Sequence, residues 1–253
     1  MSLKDLTSVI KSIPPLHRAA RRAKRLIART LDLEQPQERF FTLSPDVLVA
    51  LVKALGIQQQ RAINGRNLFD GHGYYEFGLF RGFSFWFAEQ ITRAYAGAGL
   101  HLFGFDSFAG LPQPELAVEA AAYSKGTLTC SYEAVQHNLK KWRADESRIS
   151  LFKGFYSDAM FRELRSKVNL PPISICLIDV DLYTSCVPVL EFIRHLWVEG
   201  SILLFDDYNH FGGDEAVGER RALVEFEARY PNFRKEHLFD YGWEGVAFRV
   251  LVA

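Results

Sequence analysis

Four aspartates stand in two pairs with matching local settings. Asp179 and Asp181 follow the apolar run Ile173-Ser-Ile-Cys-Leu-Ile178, and Asp206 and Asp207 follow Gly200-Ser-Ile-Leu-Leu-Phe205. A short apolar run bounded by polar residues suits a strand buried on both faces, the kind found in parallel sheets covered by helices. Between the runs, Val187, Leu190, Ile193 and Trp197 recur at helical spacing, and Gly200 closes that stretch. The order strand, helix, strand puts both pairs at the carboxyl ends of neighbouring parallel strands, where open α/β sheets bind their ligands.

Carboxylates gathered in this way repel, so they must take up protons, separate or share a cation. Aspartate also forms turns where strands end, but two pairs at equivalent positions favour the shared ion. Magnesium or a similar oxygen-loving cation takes a few carboxylates together with water and substrate oxygens, and no His or Cys cluster in the sequence favours a softer metal. His210, three residues beyond Asp207, is a further candidate for moving a proton.

The elements that must hold these groups can be read around them. Tyr74-Tyr-Glu76-Phe77 reads as a strand running into Gly78-Leu-Phe-Arg-Gly82-Phe-Ser84 and an apolar helix over 85–95. Glycines between a strand and a helix let a backbone approach a nucleotide, whose charge the helix start favours. The spacing is Glu-x-Gly-x-x-x-Gly, so the middle glycine that clears room for a pyrophosphate is missing. A second strand over 100–105 ends in Asp106-Ser107-Phe108, an acidic position suited to ribose hydroxyls. A helix over 131–142 and a third strand over 149–152 lead into Lys153-Gly154-Phe155. A helix within 213–231 and strands over 236–240 and 246–252, around the Tyr241-Gly242-Trp243 turn, complete the chain. Near the start, Ser44-Pro45-Asp46 opens a helix that Gly56 closes, and 58–73 reads as a polar connection. The alternation predicts an α/β protein built on a doubly wound, mostly parallel sheet with an antiparallel C-terminal edge and an N-terminal helical extension.

With 253 residues the chain can bury one substantial core. It is neutral overall, but residues 1–30 carry eight Lys or Arg against one Asp, leaving the rest at −7. Within 14–33, Leu16, Ala19, Ala20, Ala23, Leu26, Ile27 and Leu31 share one face and six basic residues fill the remainder. Such a basic amphipathic helix can pack on the body or a second subunit, or lie on an anionic membrane. Residues 1–35 therefore read as an extension and 36–253 as the working domain. Cys130, Cys176 and Cys186 cannot all pair and suit core positions in a reducing compartment. With no leader or membrane span in the sequence, the expected location is the cytoplasm, peripheral to the inner membrane face if the basic helix binds lipid.

Taken together, Glu76-Phe-Gly-Leu-Phe-Arg-Gly-Phe-Ser84, Gly104-Phe-Asp-Ser-Phe-Ala-Gly-Leu-Pro112, Lys153-Gly-Phe155, Ile178-Asp-Val-Asp-Leu-Tyr183 and Phe205-Asp-Asp-Tyr208 resemble the macrocin O-methyltransferase family over roughly residues 40–230. The resemblance implies a Rossmann-like class I methyltransferase that moves a methyl group from S-adenosylmethionine to a sugar hydroxyl. It implies magnesium on Asp179, Asp206 and Asp207, with Asp181 as base; His210, read from its place beyond Asp207, stands as the rival base. It implies a cofactor site of Glu76, Gly78, Ser84, Asp106, Ser107, Phe108, Gly154, Phe155 and Asp179. The acceptor would be a small molecule or glycan rather than a nucleic acid. A phenolic acceptor also fits a metal-chelating pair of oxygens. A nucleotide-sugar glycosyltransferase would share Asp-x-Asp, but it requires neither the Glu-x-Gly and Asp-Ser-Phe elements nor a second aspartate pair.

Overall fold

The computed structural model describes residues 45–96 and 99–252. The basic segment over 14–33 lies outside them. Chain contacts separate Met1–Asp46 from a unit of Val47–Ala253, and the architecture below is that of the second unit.

Seven strands form one sheet: β1 (Gly73–Phe77), β2 (His101–Asp106), β3 (Ile149–Lys153), β4 (Ile173–Ile178), β5 (Ile202–Phe205), β6 (Arg234–Tyr241) and β7 (Gly245–Val252). Their order is β3-β2-β1-β4-β5-β7-β6. The first five pair in parallel, whereas β7 runs antiparallel to both β5 and β6. The C-terminal hairpin thus forms the expected antiparallel edge, with its second strand slotted inside its first.

Seven α-helices accompany the described strands: α1 (Pro45–Ile63), α2 (Phe83–Ala96), α3 (Ala117–Ala122), α4 (Tyr132–Lys141), α5 (Asp158–Lys167), α6 (Tyr183–Ile193) and α7 (Gly218–Arg229). Central strands β1, β4 and β5 are buried along their whole length. The period-2 alternation of side chains sends alternate residues to two separate cores. Phe77, Ile178 and Phe205 enter one with α6 and α7, and Tyr74, Leu177 and Leu204 enter the other with α1 and α2.

Two helix ends and one added helix differ most from the sequence reading. Helix α1 continues through Gly56 to Ile63. Gly56 is exposed, and two residues later the buried Gln58 donates to the carbonyls of Ser174 and Gly200 at 2.9 and 3.0 Å. Those tertiary bonds favour continuing the helix where propensity alone would stop it. Helix α6 ends at Ile193, so Trp197 packs from the following turn, stacked on Phe233 at 4.7 Å. The stretch between Asp106 and Tyr132 also contains α3, whose alanine-rich sequence carries no amphipathic stripe.

Candidate active site

Backbone hydrogen bonds carry each parallel ladder one residue beyond its strand and bring the predicted motifs to a common edge. Gly78 N–H donates to Phe105 O, Asp179 N–H to Phe77 O, Asp206 N–H to Ile178 O, and Gly154 N–H to Asp106 O, all at 2.9–3.0 Å. Four motifs separated widely in sequence therefore lie side by side at the carboxyl edge of the sheet.

Gly78 has φ +90°, and a Cβ there would lie 1.8 Å from the Asp179 carbonyl oxygen, so no other residue fits. Beside it, Glu76 is fully buried and accepts from the hydroxyls of Ser84, at 2.6 Å, and Tyr74. Burial raises its pKa to about 7, against the opposing pull of those two hydroxyls, with Asp106 and Asp206 adding to the rise.

Asp106, expected at ribose hydroxyls, is also a turn former. Its Oδ2 accepts from the N–H groups of Leu79 and Phe80 at 2.8 and 3.0 Å, and its Oδ1 from Phe108 N–H at 2.6 Å. In this geometry Asp106 shapes the turn after β1, where Phe80 is left-handed, and the turn after β2, where Phe108 is left-handed. Ser107 closes the second turn by donating to Gly110 O at 2.7 Å. Phe108 is buried edge-on to Tyr132, whereas Phe155, after Gly154, is 48% exposed.

At the ends of β4 and β5, one carboxylate oxygen from each of Asp179, Asp181 and Asp207 lies within 4.8 Å of the other two. Among the described residues Asp206 joins no such group, although its charge raises the pKa of Asp179. The geometry thus gathers Asp181, assigned as base from the resemblance, with two of the three expected ligands. Asp179 is held well above the usual carboxylate range by burial, followed by Asp206, Asp207, Asp181 and Glu219. Asp181 has φ +60°, a strained backbone for a residue with a side chain but one that aspartate tolerates. Hard oxygen donors in this arrangement suit a divalent cation such as magnesium.

His210 accompanies this group through a second set, in which its ring, Asp207 and Glu244 offer atoms within 4.8 Å of one another. Its Nδ1 lies 2.7 Å from Oε2 of the buried Glu244 and its Nε2 3.1 Å from the Tyr123 hydroxyl. Facing the Glu244 carboxylate, Nδ1 donates, and Nε2 faces the Tyr123 hydroxyl. Both nitrogens are therefore engaged by protein groups.

Three glutamates that the motifs did not reveal complete the region. Glu244 aims His210; Glu119 accepts from Tyr183 N–H at 2.8 Å and Gly218 N–H at 3.3 Å; Glu219 accepts from Val180 and Asp207 N–H. Their signal in the sequence is faint, since each is a lone acid in a stretch without a pattern.

The parallel sheet with an inserted antiparallel β7 and acidic groups at its strand ends is a class I methyltransferase fold. Solved structures share it: the O-methyltransferase NovP at TM-score 0.64, 19% identity, 81% of this chain and 80% of that one. CalS11, calicheamicin methyltransferase, matches at TM-score 0.63, 19% identity, 94% of this chain and 93% of that one. Residues 64–249 match the family model described as Macrocin-O-methyltransferase (TylF), and the chain belongs to that family. A curated relative from Streptomyces olivaceus, 8-demethyl-8-(2,3-dimethoxy-alpha-L-rhamnosyl)-tetracenomycin-C 4'-O-methyltransferase, is 23% identical over 154 residues. The match covers 58% of this chain and 56% of the relative, so it spans little more than half of each. Among the described residues, no helix is long and apolar enough to cross a membrane.

Proposed function

We propose that this chain transfers a methyl group from S-adenosylmethionine to a hydroxyl of a sugar-bearing small molecule or glycan precursor, with a divalent cation such as magnesium in the site. The observation that carries this reading is the convergence of Asp179, Asp181 and Asp207 beside the turn that only Gly78 allows. The family supports the reaction class. The names of two similar proteins support the acceptor class: one acts on a rhamnosyl tetracenomycin and another is a TDP-rhamnose 3'-O-methyltransferase. A deoxyhexose is accordingly the first acceptor to try.

Methyl transfer from a sulfonium requires alignment of donor and acceptor, and a sugar hydroxyl is a weak nucleophile while it keeps its proton. A divalent cation, when bound, makes such a hydroxyl more acidic. In our reading Asp179 and Asp207 hold the cation, with Asp206 on its flank, and Asp181 takes the hydroxyl proton. Glu76, Gly78, Ser84 and the turns that Asp106 shapes, with Ser107, Phe108, Gly154 and Phe155, enclose the donor. Asp179 borders both ligands, because its backbone touches the Gly78 turn and its side chain joins the acidic group.

The test is to incubate the protein with methyl-labelled S-adenosylmethionine, magnesium and a panel of rhamnosides, nucleotide-linked deoxyhexoses and catechols. Label transferred to a deoxyhexose supports the reading. Label moving only to catechols would reassign the acceptor, and failure to bind S-adenosylmethionine in a calorimetric titration would remove the reaction.

A further inference from the structure

Glu219 lies in the first turn of α7 and is fully buried. Its Oε1 accepts from Val180 N–H at 3.1 Å and its Oε2 from Asp207 N–H at 3.2 Å. Val180 sits between Asp179 and Asp181, so one carboxylate grips both acidic loops by their backbones. The two N–H groups are the next donors after the last ladder bonds, made by Asp179 and Asp206. Val180 and Asp207 are 3% and 1% exposed, so without Glu219 both donors would be left buried beyond the end of the sheet.

The start of α7 is itself pinned. Gly218 N–H donates to Glu119, whose same oxygen accepts from Tyr183 N–H at the start of α6. A Cβ at Gly218 would meet the Phe211 ring at 3.0 Å, which adds a close packing contact on the other side. The chain has thus placed an additional buried acid against three aspartates, an arrangement that repulsion opposes. A neutral capping residue would avoid that repulsion but would not offer two acceptor oxygens to two separate loops.

We propose that Glu219 is a positioning residue, which fixes the separation of the β4 and β5 end loops and so preforms the seat that Asp179, Asp181 and Asp207 offer to a divalent cation. This rests on the cation reading of that group. Glu219 acts through the loops rather than by touching substrate or cofactor. Its role resembles that of the outer groups that orient metal ligands, whose loss typically weakens metal binding by roughly 10- to 100-fold.

The experiment titrates Mn2+ alone into the full chain, with free ion read by electron paramagnetic resonance, for wild type, E219Q and E219D. Thermal midpoints and S-adenosylhomocysteine affinity are measured in parallel. E219Q keeps shape but offers one acceptor oxygen, and E219D keeps charge but shortens the reach. We expect both to weaken Mn2+ by about tenfold or more, with S-adenosylhomocysteine affinity within about twofold of wild type. Wild-type Mn2+ affinity in E219Q overturns the proposal. Weakening in E219Q alone, with E219D unchanged, marks a charge effect and overturns the positioning role. A wild-type chain that binds no Mn2+ removes the cation reading itself and the proposal with it. Should E219Q fail to fold, the E219D result decides.

Discussion

Gly78 and Asp179 meet backbone to backbone: a single added carbon on Gly78 would stand 1.8 Å from the Asp179 carbonyl oxygen. The Gly78 turn, to which we assign the donor, and the loop that carries the acidic group are therefore one mechanical unit. G78A must push these loops apart in addition to straining φ +90°. We expect a loss of roughly 3 kcal/mol or more in urea denaturation, together with loss of S-adenosylhomocysteine binding in a calorimetric titration.

Asp181 and His210 are separated by their partners. With Nδ1 on Glu244 and Nε2 on Tyr123, His210 has no ring nitrogen turned to an acceptor in this arrangement. Removing a working base typically costs about 10²- to 10⁴-fold in rate. D181N should fall in that range in kcat, with donor affinity nearly unchanged, whereas H210Q should lose about tenfold or less. The opposite ranking in a labelled-methyl assay would make His210 the base.

The buried Glu76 gives the donor-free protein a pH dependence of calculable sign. Its pKa rises from 4.5 to about 7 in the folded chain. Between those values the folded state holds a proton that the unfolded state has released, so the contribution is fully present below pH 4.5 and disappears as pH rises through 7. A shift of this size corresponds to roughly 3 kcal/mol. E76Q should flatten the corresponding part of the urea midpoint against pH between 4.5 and about 7, the window the shift defines. An unchanged slope would place the titration elsewhere.

Away from the chemistry, the buried Arg148 donates to Glu89 at 2.9 Å and to Leu100 O at 2.9 Å, tying the turn before β3 to α2 and the start of β2. Removing one partner of a buried ion pair strands the other charge. R148M should destabilise the chain by roughly 3–5 kcal/mol while leaving KM for the donor unchanged at a temperature where it remains folded.

How much of this was legible depended on whether a residue's role is local. The apolar runs of β4 and β5 announced buried parallel strands, and the aspartates after them were found at the same sheet edge. Asp106 was found at the end of β2, where its oxygens also accept from turn N–H groups, a contact that no one-dimensional pattern encodes. Gly56 looked like a stop because the reading could not weigh the long-range bonds of Gln58. Glu119, Glu219 and Glu244 were invisible for the same reason. Each acts on a backbone or ring from 34 to 99 positions away, except the nearer Glu219 bond to Asp207.

The most direct measurement is methyl transfer to a deoxyhexose acceptor by protein stripped with EDTA, then assayed before and after magnesium is restored. The account predicts that turnover vanishes in the stripped protein, returns with magnesium in the wild type, and does not return in D179N or D207N. Undiminished turnover by the stripped protein would contradict it.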